Sequence, residues 1–109
     1  KKKYNLNVGI VHFHTIKPLD KKILFKILKE VKYLVSIEEN NLIGGFGSSI
    51  LEACNNHNIK EVNKIRRIGL PDKFPDNYGS QIELLKSHKI NSENLAKRML
   101  LILKKNKKN

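Results

Sequence analysis

Apolar positions begin at Leu6–Phe13, where Leu6, Val8, Ile10 and His12 lie on one side and Val11 and Phe13 on the other. Alternation with β-branched content predicts a strand, buried on both faces by its end. Pro18 drives Lys17 out of the helical region, and Asp20 is a natural N-cap for the next segment. Ile23, Leu24, Ile27, Leu28 and Val31 recur at helical spacing, with Lys21, Lys22, Lys26, Lys29 and Lys32 largely opposite. An amphipathic helix is predicted. Tyr33–Ile37 is a second β-rich run, ended by the polar stop Glu38-Glu39-Asn40-Asn41. Ile43, Phe46, Ile50, Leu51 and Cys54 mark another helix, closing near His57 among the turn residues Asn55, Asn56 and Asn58.

Val62–Ile68 is a third strand candidate, weakened by Lys64, Arg66 and Arg67. From Gly69 to Gly79 the concentration of Pro, Gly, Asp and Asn predicts loop. Ser80 and Glu83 stand at capping-box spacing before a short helix carrying Ile82, Leu84 and Leu85. Asn91 or Ser92 caps a last helix whose stripe is Leu95, Met99, Ile102 and Leu103. Strands alternating with helices predict an α/β fold, a three-layer α/β/α arrangement around a mainly parallel sheet. Three strands are few for such a sheet, whose faces and edges need cover. The chain also opens without Met. The expectation is a partial domain over 1–109, with further strands upstream or supplied by a partner.

At 109 residues the chain has room for one domain and one core. The longest apolar run, Met99–Leu103, is far too short to cross a bilayer, and no membrane partner is expected. A single cysteine excludes an internal disulfide. The formal charge of +12 suggests a polyanion as partner, but its placement weakens that reading. Seven of the 22 cations sit in the acid-free ends, as Lys1, Lys2, Lys3, Lys104, Lys105, Lys107 and Lys108, leaving 15 against 10 acids between them. Trp is absent, and Arg occurs only at positions 66, 67 and 98. Without a basic face interleaved with aromatics, nucleic acid is not expected as a partner.

The glycine cluster is the first candidate for chemistry. Gly45-Phe46-Gly47-Ser48-Ser49-Ile50 has Ile50 where a dinucleotide fingerprint needs its third glycine, and Ser49 where a phosphate loop needs Gly. Two readings remain: a helix N-terminus with free N–H groups for an anion, or glycines that let the helix pack closely on the sheet. The packing reading is preferred. Cys54 and His57 share a helical face, and His12 and His14 share a strand face, but each pair is half a zinc site. His12 is expected in the core or at a strand end, and Cys54 as a small buried hydrophobe. Glu38 and Glu39 point to opposite faces of a strand, so they are not a general acid/base pair. One of them is expected to accept hydrogen bonds from N–H groups of the glycine turn. No catalytic constellation is present.

Four segments in order carry a resemblance: Ile16-Lys17-Pro18-Leu19-Asp20, Val35-Ser36-Ile37-Glu38-Glu39-Asn40, Gly44-Gly45-Phe46-Gly47-Ser48, and Ile68-Gly69-Leu70-Pro71-Asp72-Lys73-Phe74. Together, from Val8 to about Leu103, they resemble the C-terminal domain of transketolase-type thiamine-diphosphate enzymes. The first three are shared with beta subunits of 2-oxo acid dehydrogenases, the runner-up reading; a basic binding module is the third. Gly-Leu-Pro-Asp-x-Phe narrows the resemblance to the 1-deoxy-D-xylulose-5-phosphate synthases. Two places depart: His14 stands where the family commonly has Arg, and Pro75–Gly79 replaces a short acidic-His-Gly turn.

The resemblance implies a larger enzyme that joins pyruvate, after decarboxylation, to glyceraldehyde 3-phosphate on thiamine diphosphate. In that family the cofactor, its Mg2+ and the activating glutamate belong to domains upstream. No catalytic, cofactor-binding or metal residue is therefore assigned to this chain. The implied role is structural: contact with upstream domains of the same polypeptide and with the mate of a homodimer. Glu38, Glu39, Asn40, Gly44, Gly45 and Gly47 are the candidates for that contact. The Lys- and Asn-rich bias, with the isoprenoid role, suggests a plastid-type organelle.

Overall fold

Asp20 starts the first helix, its Oδ1 accepting the Ile23 N–H at 3.0 Å. In the computed structural model, which describes residues 6–73 and 78–105, α1 then spans Lys21–Glu30. Strand β1 covers Leu34–Asn41 and helix α2 covers Phe46–Asn56. A 3-10 turn at Lys60–Lys64 leads into strand β2, Ile65–Leu70. Helices α3, Gln81–Ser87, and α4, Ser92–Lys105, complete the order. No helix among the described residues is long and apolar enough to cross a membrane.

The two strands run parallel, with Leu34 opposite Ile65 and Ile37 opposite Ile68. The fold is α/β, and its described sheet has two strands. One face carries Leu34, Ser36, Glu38, Ile65, Arg67 and Gly69, and α1 and α2 cover it. Leu24, Leu28, Ile50, Ala53, Cys54 and Ile65 form the core there. Leu24, Leu28 and Ile50 are almost wholly buried, each worth about 2 kcal/mol on transfer from water. On the opposite face Glu39 Oε2 accepts from Gln81 Nε2 of α3 at 2.7 Å. Ile68, on that face, and Ile90, after α3, are also buried.

Three expectations are corrected. Leu6–Phe13 is not a strand: residues 6–16 form no ladder, and Val8, Ile10 and Val11 are exposed. An alternating sequence becomes a strand only when a sheet edge offers it backbone partners, and neither described strand pairs with it. Phe13 still packs on the core, its ring 5.5 Å from that of Phe46. His12 is consequently exposed rather than buried, beside the His14 ring. Second, Glu38–Asn41 does not stop β1 but belongs to it, because the inward carboxylate of Glu38 finds hydrogen-bond donors. Third, β2 begins later than Val62 and runs on through Gly69 and Leu70. Gly69 is required in that strand: a Cβ there would lie 2.9 Å from Glu38 Cγ and 3.0 Å from Asn40 O.

The capping box of α3 forms as its spacing predicts. Ser80 Oγ accepts from the Glu83 N–H at 3.4 Å, and Glu83 Oε2 accepts from the Ser80 N–H at 2.9 Å. The Ser80 N–H, and after it the Ser80 hydroxyl donating to the same Oε2 at 2.9 Å, favour the charged form and hold the Glu83 carboxyl below its usual range. Because the folded value is depressed, the box helps α3 at neutral pH and stops helping as pH falls through the folded value. An NMR titration should therefore show Glu83 protonating below the usual glutamate range, with the α3 amides shifting in step.

Candidate interface at the carboxyl ends of the strands

Both strands end on the same side of the molecule, where open parallel sheets present their functional groups. Strand alternation separates the two glutamates: Glu38 is buried and Glu39 exposed. Glu38 points at the start of α2. Its Oε1 accepts from the Phe46 N–H at 2.9 Å and its Oε2 from the Gly47 N–H at 2.6 Å. The N-cap residue, Gly45, has no side chain to cap with. The strand carboxylate thus supplies what the helix lacks, satisfying two of its first N–H groups and placing negative charge at the positive end of its dipole.

This geometry decides between the two readings of the glycine cluster. The helix end is an anion seat, and the chain's own carboxylate sits in it. The glycines allow the approach. A Cβ on Gly45 would collide with Glu38 Oε1 and with Asn41 O. One on Gly47 would lie 2.7 Å from Arg67 Cδ and 2.8 Å from Ser36 Oγ. Gly44 meets no such crowding, but its φ of +74° lies in the left-handed region that favours glycine.

Sequence reading misses the residues that pin the loop between β1 and α2. Arg67 Nη1 donates to Leu42 O and to Ser48 Oγ, each at 2.9 Å. The Ser48 hydroxyl donates to Leu42 O at 2.9 Å and accepts from the Gly44 N–H at 3.2 Å. Asn41 Oδ1 accepts from the Ile43 N–H at 2.9 Å, while its Nδ2 donates to Asp72 Oδ1 at 2.6 Å. By composition alone Arg67 reads as a flaw in a strand. Its register opposite Ser36, on the helix-covered face, is the signal that places it.

Of the candidate contact residues, Glu38, Gly45 and Gly47 meet in this cap. Glu39 is turned away toward Gln81, and Asn40 is exposed between them, its Oδ1 accepting from the Asn41 N–H at 2.8 Å. Gly44 shapes the loop. Cys54 is fully buried, and burial, followed by the charge of Glu61, pushes its thiol pKa up. His57 lies at the end of α2, its Nδ1 2.9 Å from Ala53 O and its ring 5.3 Å from Phe25. Among the described residues, no three His, Cys, Asp or Glu side chains gather as metal ligands. The turn at Pro75–Asn77 lies outside the described residues.

Comparison with known proteins accords with this layout. Residues 1–95 match the family model "Transketolase, C-terminal domain". Among curated proteins, the 1-deoxy-D-xylulose-5-phosphate synthase of Geobacillus is 36% identical over 106 residues, 97% of this chain and 16% of that protein. The same-named protein of Clostridium tetani is 33% identical over 104 residues, 94% of this chain and 16% of its own length. That of Listeria innocua is 42% identical over 83 residues, 76% and 13%. The chain thus spans about a sixth of these bacterial relatives. With residues 1–95 matched by the family model and relatives at 33–36% identity along nearly its whole length, the chain belongs to the transketolase C-terminal domain family.

Proposed function

We propose that this chain is the C-terminal supporting domain of a thiamine-diphosphate-dependent transferase. The reaction of that enzyme condenses pyruvate with glyceraldehyde 3-phosphate, releasing CO2 and giving 1-deoxy-D-xylulose 5-phosphate, an isoprenoid precursor. The observation that carries the reading is similarity along nearly the whole chain to synthases of that name. When bound, thiamine diphosphate supplies the carbanion chemistry. The capped end of α2 does not fit its diphosphate, because the Glu38 carboxylate already occupies it. Both Glu38 oxygens are engaged by the α2 N–H groups, Glu39 by Gln81 and Asp72 by Asn41. On this reading the cofactor is held by domains upstream in the same polypeptide, and this chain contributes no step of the reaction.

Its work is instead to present a fixed surface. Asn40, the loop through Gly44 and the outward Glu39 form the face offered to those domains and to the mate of a homodimer; neither nucleic acid nor membrane is a partner. The plastid-type compartment expected from the Lys- and Asn-rich composition gains no support from the relatives, which are bacterial. Glu39→Lys in the full enzyme tests the contact. Sedimentation should show the dimer dissociating about tenfold more readily, about 1.4 kcal/mol. Gln81→Ala, which removes only the intrachain partner of Glu39, should leave dimerisation alone. Equal dissociation of Glu39→Lys and the unsubstituted enzyme would remove Glu39 from the interface.

A further inference from the structure

We draw no further inference here: the strongest candidate, the exposed apolar side chains of Ile43 after β1 and Ile82 on α3, belongs to the strand-end face already proposed as a contact surface, and nothing in the structure shows what covers it.

Discussion

Replacing Glu38 with alanine should lower the stability of the chain by about 3 kcal/mol, read as a shift of the urea midpoint with unchanged slope. Three losses combine. Two charge-assisted hydrogen bonds disappear, the Phe46 and Gly47 N–H groups lose their acceptor, and α2 loses the charge facing its dipole. Gly47 is buried, so water cannot readily replace the carboxylate there, and an unsatisfied buried donor is costly. Glu38→Gln separates the contributions. It keeps one carbonyl acceptor but turns an amide donor toward a second N–H, so it should fall between alanine and the original residue. Glu39→Ala, on the exposed face, should change stability by less than about 0.5 kcal/mol. Equal effects at positions 38 and 39 would show that the cap carries no special weight.

Gly45→Ala should be comparably damaging, about 3 kcal/mol, for a different reason. At φ −84° and ψ −164° the backbone suits alanine, so the cost is space and not conformation. The added carbon meets the flexible Glu38 carboxylate and also Asn41 O, a backbone atom within β1. Moving the carboxylate aside would break the cap, and the strand carbonyl cannot follow. Gly44→Ala supplies the contrast: its surroundings are open and only the left-handed φ resists, at a cost of about 1 kcal/mol. Combining Gly45→Ala with Glu38→Ala should give less than the sum of the two, because the second change removes one of the two collisions created by the first.

The parts legible in the sequence are those set by neighbours along the chain. Asp20 with Ile23, and Ser80 with Glu83, cap helices over a three-residue reach, and both bonds are present. The amphipathic stripe of α1 buries Leu24 and Leu28 as its spacing predicts. Even the role of a strand-end glutamate can be anticipated, since adjacent glutamates on a strand must face apart and a glycine-capped helix needs an acceptor. Which one serves is a matter of register, and register is tertiary information.

The misreadings share that cause. Leu6–Phe13 has the alternation of a strand but no described edge to pair with, so pattern alone overstates it. Glu38–Asn41 is too polar to read as a strand because the N–H partners of Glu38 lie eight and nine residues further on, across a loop. Gly69 resembles a loop glycine, although it is the smallness of that strand residue that leaves room for Glu38 and Leu42. Arg67 is unwelcome in β2 until folding brings Leu42 O and Ser48 Oγ within reach of its guanidinium.

Titrating inorganic diphosphate with Mg2+ into the chain, while following the amide resonances of Phe46 and Gly47, tests the internal cap most directly. With the Glu38 carboxylate seated there, both resonances should hold their positions through millimolar ligand. A saturable shift of either amide would mean that this helix end accepts outside anions, and would contradict a supporting role for the glycine-led face.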